Sequence, residues 1–255
     1  MSELDAAPSA SAATVGEALF RPVRSGNAFE ETVERLLQTI RLGVIGPGES
    51  LPSERDLAAR LSVGRDTVRD AIRSLAEAGY LVSRRGRYGG TFVCDELPSL
   101  GAVVGRSGGE VAAAVVPTVA ELEDALLIRQ ILDIGAVRAA AGRDMSAADR
   151  ERLVSRMRET SQSGIADYRR LDSRLNLTIG ELAGSPSLLP LLLESRSRIN
   201  ALLDEIPLLE RNLLHSNEQH QRIVRAILSG NPADAEIAMA EHLEGSAALL
   251  RGFLG

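Results

Sequence analysis

Between Leu51 and Val93 the spacing of apolar residues predicts two short helices followed by a hairpin. Leu57, Ala58 and Leu61 mark the inner face of the first helix. Ser53 and Asp56 open it as an S-x-x-D start, in which a hydroxyl caps free amides and an acid sits in the first turn. Ser62, Val63 and Gly64 interrupt the pattern with a turn of the length that joins two crossed helices. Val68, Ala71, Ile72 and Leu75 then resume a helical face until Gly79 offers a left-handed stop. The opposite face of that second helix carries Arg65, Arg69 and Arg73, four residues apart, which form a single ridge. Two extended runs follow, Leu81 to Ser83 and Thr91 to Val93. The stretch from Arg84 to Gly90 joins them, and its glycines permit positive φ and close backbone approach.

Punctuation divides the rest of the chain. Residues 1–26 are rich in Ala and Ser without a sustained apolar period and are expected to be disordered. Residues 27–94 form the first domain. Residues 95–117, with Pro98, Gly101, Gly105, Gly108 and Gly109, read as a linker. From 118 to 255 every period is helical. Thr118 with Glu121, Ser146 with Asp149, Ser185 before Pro186 and Asn231 before Pro232 are successive helix starts, and Gly142, Gly184 and Gly230 are plausible stops. The expected fold is therefore mainly α: a winged helix-turn-helix with a small β-wing, then an all-α antiparallel bundle of six or seven helices.

Charge sharpens this picture. The net charge of −6 would argue against a polyanionic partner if it were evenly spread. Residues 27–93, however, hold ten arginines against nine acids, so this segment is near neutral and basic only along its ridge and wing. Lysine is absent. No run approaches the ~18 apolar residues of a membrane span, and no secretory signal is read at the N-terminus. Cys94 is the single cysteine, which rules out an internal disulfide and suits a reducing cytoplasm.

An arginine ridge alone reads as a solvated helix face. The order helix, Gly turn, basic helix, basic hairpin is what points to double-stranded DNA, with the ridge in a major groove and the wing on phosphates. The segment LPSERDLAARLSVGRDTVRDAIRSLAEAGYLVSRRGRYGGTFV resembles the DNA-binding domain of the GntR family of bacterial transcription regulators. The resemblance covers Phe29 to Val93 and implies operator contacts at Arg55, Arg65, Thr67, Arg69, Arg85 and Gly86. Asp66 departs from the family pattern, where a small hydroxyl residue or proline is frequent; it is expected to alter operator preference without abolishing binding.

In the bundle, Asp172 and Asn176 share a face with Leu175 and Ile179. His220 precedes Ile223, Val224 and Ile227 on one face, and His242 follows Ala235 and Ala238. All four polar residues point inward and must find one another, a water or an ion. Such imidazoles are commonly hydrogen-bonded core residues; with a carboxylate and an amide they also make a set suited to a divalent metal. From about Leu122 to Leu250 the chain resembles the FCD effector domain of the FadR subgroup. That resemblance implies metal ligation by Asp172, His220 and His242, with Asn176 where the family has histidine. The ion would be zinc, nickel or manganese, weakened by an amide ligand. His215 matches no ligand position and is expected near the surface or in a loop. Arg129 and Arg196 lie on apolar stripes, and each has as its partner either an internal acid or the carboxylate of a small organic acid effector.

The function these features imply is a homodimeric, cytoplasmic, DNA-binding transcription regulator, a repressor associated with the nucleoid when bound, whose operator affinity responds to a small carboxylate metabolite. Two competitors are an effector-insensitive dimeric DNA-binding protein and a metal-dependent hydrolase centred on Asp172, His220 and His242. No nucleophile elbow, paired general base or phosphate loop supports the enzyme.

Overall fold

The computed structural model describes residues 23, 26–41, 44–86, 89–98 and 117–255. The segment 1–26 expected to be disordered lies outside them except for residues 23 and 26, of which Val23 N donates to Leu61 O at 3.0 Å; most of the linker and the wing residues Arg87 and Tyr88 also lie outside them. The described residues hold nine helices and one two-stranded sheet. In order these are α1 (Ala28–Arg41), α2 (Glu54–Leu61), α3 (Arg65–Glu77), β1 (Leu81–Arg84), β2 (Gly90–Val93), α4 (Val119–Ala141), α5 (Ala147–Ser161), α6 (Ile165–Leu182), α7 (Leu188–Asp204), α8 (Glu210–Leu228) and α9 (Pro232–Leu254).

The winged segment forms for local reasons. The Ser53 hydroxyl accepts from Asp56 N at 3.2 Å, and α2 ends at Ser62 in the left-handed region, at φ 56°. Gly64, in extended conformation, opens α3. Leu57, Leu61, Val68, Ala71 and Leu75 then close a shared core. The strands pair antiparallel from Leu81 opposite Val93 to Arg84 opposite Gly90, and the Arg84 guanidinium stacks 4.7 Å from the centre of the Phe92 ring. Two glycines make the wing turn. Gly86 has φ +112°, and a Cβ at Gly89 would stand 2.6 Å from the Arg84 carbonyl oxygen.

In the bundle, three expected starts coincide with the observed caps. Thr118 and Glu121 form a reciprocal capping box on α4, Ser146 caps α5, and Asn231 caps α9 with Pro232 following it. The fourth start moves: Ser185 and Pro186 form a turn, in which Leu188 N donates to Ser185 O at 3.1 Å, and α7 begins only at Leu188. The starts of α6 at Gly164 and α8 at Leu209 have no side-chain cap, which is why the sequence did not announce them.

Helix α9 is the axis of the molecule, flanked by α1, α4 and α8. Its C-terminal half joins the winged segment to the bundle in one continuous core. Ala247, Leu250, Phe253 and Leu254 pack with Phe29, Val33, Leu36 and Leu37 of α1, and the Phe253 ring meets Tyr80 edge-on at 5.7 Å. A second core, built on Val137, Leu153, Leu175, Ile179, Ile223 and Met239, fills the bundle. Close approach of α1 to α9 depends on two glycines one heptad apart. A Cβ at Gly245 would fall 2.7 Å from Asn27 Oδ1, and one at Gly252 would fall 3.0 Å from Glu34 Cα.

Because the obstacle at Gly252 is backbone, Gly252→Val is expected to lower unfolding free energy by about 1–3 kcal/mol through overpacking, despite better helix propensity. Urea denaturation of the full chain measures this, and undiminished stability would refute so close a packing.

Candidate nucleic-acid interface and metal centre

Helix α3 presents Arg65, Arg69 and Arg73 outward, as its apolar stripe requires. Two members of the ridge are already ion-paired. Arg69 reaches Asp66 Oδ1 and Glu54 Oε2, each at 3.1 Å, and Arg73 reaches Glu77 at 2.9 Å. These pairs are solvent-exposed and worth little in stability. A phosphate or base approaching these arginines would compete with the acids at little cost. Arg55 is open to solvent beside Asp56, while Arg85 and Gly86 are exposed in the wing. Thr67 differs from the other five expected contacts: it is half-buried and lines a crevice with Phe29, Arg211 and His215. On the neighbouring flank of α3, Asp70 pairs with Arg211 of α8 at 3.3 Å, so the bundle grips the same helix that carries the ridge.

Inside the bundle three helices bring Asp172 (α6), His220 (α8) and His242 (α9) together, with one potential ligand atom from each lying within 4.8 Å of the others. The imidazole rings are tilted, with centres 4.6 Å apart. His220 Nε2 stands 3.1 Å from Asp172 Oδ1, yet neither ring nitrogen of His220 has a well-formed hydrogen bond among the described residues, although both are buried. Unsatisfied buried nitrogens facing a carboxylate and a second imidazole fit a divalent cation. Asn176 stands beside this set in another role. Its amide nitrogen donates to the Asp172 backbone carbonyl at 2.9 Å and lies 3.3 Å from Asp172 Oδ1, bracing the carboxylate.

Both candidate arginines have internal acids. Arg196 Nη1 is 3.2 Å from Asp172 Oδ2, and its Nη2 is 3.7 Å from Asp133 Oδ2. Arg129 Nε is 3.4 Å from Asp133 Oδ2, and its Nη1 donates to Ser246 Oγ at 2.8 Å. Burial alone would raise the Asp172 pKa, but nearby His220 and Arg196 outweigh it and hold the carboxyl well below the usual range. Burial, then the neighbouring His220, push the His242 pKa far down, so this imidazole is neutral. Arg129 is pushed down to about 10 by burial and by Arg196, and remains charged at neutral pH. A cavity of about 60 Å³ opens beside the cluster, lined by Arg129, Tyr168, Asp172, Asn200, His242 and Ser246.

Sequence reasoning missed Asp133, although it lies one turn after Arg129, and it missed Gln219 and Asn27 entirely. Of the two places expected for His215, the loop is corrected: it lies within α8, half-buried near the surface, and its Nδ1 is 2.9 Å from Oε1 of the fully buried Glu30 of α1. Asn212 donates to that same oxygen at 2.9 Å. One face of α8 is thereby tied to the first helix of the winged segment.

Two family models match the chain: one described as bacterial regulatory proteins of the gntR family over residues 28–93, and one for the FCD domain over residues 124–245. The HTH-type transcriptional repressor NanR of Enterobacter sp. is 26% identical over 264 residues, covering 99% of this chain and 97% of that protein. NanR of Salmonella arizonae is 27% identical over 263 residues, 99% and 96% of the two chains. The putative HTH-type transcriptional regulator RmpR of Mycobacterium gastri is 38% identical over 78 residues, 31% of this chain and 28% of that one. Among solved structures, Streptococcus agalactiae GntR is similar at 25% identity with a TM-score of 0.45, covering 86% of this chain and 98% of its own.

Two outcomes follow from the charges. Arg196→Met leaves Asp172 and Asp133 short of a counter-charge, and breaking such a buried pair costs about 3–5 kcal/mol; a loss below about 1 kcal/mol in urea unfolding would show that the pair is solvated. The hydrogen bond to Glu30 raises the His215 pKa, with burial opposing it. A base raised in the folded state adds stability that is complete below its unfolded value of about 6.5 and is lost as pH climbs through the folded value. His215→Gln should therefore cost more stability at pH 6 than at pH 8.5, and a pH-independent difference would exclude the charged pair.

Proposed function

The chain belongs to the GntR family of bacterial regulatory proteins, with an FCD domain behind its winged helix, and on that footing we propose that it is a homodimeric repressor released from its operator by a small organic acid. It is a DNA-binding transcription regulator, as its relatives are, and not an enzyme. The observation that carries the effector reading is the charge balance of the buried centre. Arg129 and Arg196 are matched by Asp133 and Asp172, and His242 is neutral. A divalent ion held by Asp172, His220 and His242 would leave two positive charges in a low-dielectric interior. One ligand carboxylate offsets half of this excess and a dicarboxylate all of it, and the two arginines stand ready to share it. The ion, zinc, nickel or manganese, would supply a Lewis-acidic anchor for such an acid; Asn176 would steady Asp172 without ligating.

On the DNA side, Arg65, Arg69 and Arg73 enter the major groove, Arg55 and the wing residues Arg85 and Gly86 take phosphates, and Thr67 sits at the groove edge of α3. Two copies would read half-sites one helical turn apart on the chromosome, in the cytoplasm. The effector acts by biasing α8, which carries His220 toward the centre and Arg211 toward α3.

A second reading has its own support. The cavity of about 60 Å³ has room for roughly two waters, at ~30 Å³ each. A bundle that only dimerises and binds no effector would look the same at this site.

The test begins with elemental analysis of tag-free protein purified without chelator, followed by thermal shift against a panel of mono- and dicarboxylates. Near-stoichiometric metal that disappears in His220→Ala, with stabilisation by at least one acid, is the expected result; metal-free protein indifferent to every acid favours the second reading. Arg69→Ala should weaken binding to an in vitro selected operator by about 1–3 kcal/mol, roughly 5- to 150-fold, without disturbing acid binding. Unchanged operator affinity would remove Arg69 from the interface.

A further inference from the structure

His242 is linked, through one intervening side chain, to a residue outside the bundle. Its Nδ1 is 3.1 Å from Gln219 Oε1, Gln219 Nε2 is 2.9 Å from Asn27 Oδ1, and Asn27 Nδ2 is 2.7 Å from the backbone oxygen of Glu241. Gln219 and His242 are bundle residues, but Asn27 immediately precedes α1 and belongs to the winged segment. All three side chains are buried, at 2%, 5% and 4% exposure.

The direction of donation along this chain is forced from its far end. A backbone carbonyl can only accept, so the Asn27 amide nitrogen must face Glu241 and its oxygen must face Gln219. Gln219 must then turn its nitrogen to Asn27 and its oxygen to His242. An oxygen acceptor requires a hydrogen on His242 Nδ1. The neutral ring then carries its lone pair on Nε2, the nitrogen left for Asp172, His220 and any ion between them. Neither amide can flip without placing two acceptors or two donors face to face somewhere along the chain.

We propose that Asn27 and Gln219 are positioning residues for the metal centre, fixing His242 in its Nδ1–H tautomer so that the docking of α1 and the loading of the centre each favour the other. The inference rests on the metal-and-effector reading above for its regulatory consequence, but not for the tautomer itself. An ion on Nε2 draws electrons from the ring and makes Nδ1–H a stronger donor, which tightens the link to Asn27. Coupling free energies are reciprocal: a centre that holds α1 more firmly when loaded must load more weakly when α1 is loosened. Asn27 touches none of the three candidate ligands, yet its side chain sets the lone pair of one of them. Asn27 is also the residue against which α9 spares a side chain, at Gly245.

The experiment uses the full chain, its Asn27→Ala variant and, inside the bundle, Gln219→Ala, each checked for intact helical content. Long-range ¹H–¹⁵N correlation spectra of chelator-treated protein report which ring nitrogen of His242 carries the proton. Competition with a fluorescent chelator reports affinity for Zn²⁺ alone. The expected result is the Nδ1–H form in the wild type and a mixture of tautomers in both variants, with zinc affinity reduced about 10- to 100-fold in each. An Nε2–H wild type, or an Asn27→Ala protein that keeps both the wild-type tautomer and the wild-type zinc affinity, overturns the proposal. If Gln219→Ala alone changes them, the relay stops within the bundle and Asn27 is excluded. A wild type that binds no zinc would sink the metal reading, and the spectra would still decide whether Asn27 sets the tautomer.

Discussion

Asp172 is a carboxylate with only 13% of its side chain exposed, and the arrangement of the bundle follows from what that charge needs. Burying an unpaired carboxylate would cost several kcal/mol, roughly the whole margin of stability of a domain. Its two oxygens are met by Arg196 and His220, and Arg196 is shared with Asp133, which also faces Arg129. Helices α4, α6, α7, α8 and α9 each supply a member of this set, while α5 supplies none. A charged cluster of this kind adds little net stability over an apolar core, but it penalises every helix register that leaves one member alone. Specificity of helix arrangement, more than strength, is what the cluster contributes.

The winged segment is joined to that bundle by two kinds of contact. One is apolar and continuous, running from Phe29 and Leu36 to Leu250 and Phe253. The other is polar and lies along one face of α8, where Asn212, His215 and Gln219 engage Glu30 and Asn27 while His220 turns toward the centre. The apolar contact is insensitive to small shifts and supplies adhesion. Hydrogen bonds are directional, so the polar face responds to rotation or translation of α8 by fractions of an ångström. Arg211 at the start of the same helix extends this sensitivity to Asp70 on α3.

The parts of this architecture that were legible in the sequence are those governed by chemistry within a few residues. Ser53, Thr118, Ser146 and Asn231 cap helices through side chains that bond to amides three residues on, and the sequence shows both partners. The inward placement of Asp172, His220 and His242 was legible because each rides an apolar stripe. Helices that begin without a side-chain cap, at Gly164 and Leu209, left no such mark. Asp133 was passed over because an acid one turn after an arginine reads as a surface pair, and only tertiary packing buries both. The link from Gln219 to Asn27 spans 192 residues of sequence, and no periodicity reports a bond of that length. The partner of His215 was hidden for the same reason, since Glu30 lies on a helix whose polar residues look solvent-facing until α8 covers them.

The Phe253–Tyr80 contact carries a consequence for how the protein comes into being. The winged segment leaves the ribosome well before the side chains of α9 that complete its core have been made. At about 5–20 residues per second the wait is on the order of ten seconds. For that time Phe29, Leu36 and Tyr80 lack their final cover, and the arginine ridge of α3 has no Arg211 at its flank. A nascent chain therefore passes through a state in which the arginine-ridged helix exists without the body that restrains it, and that state ends only when α9 docks.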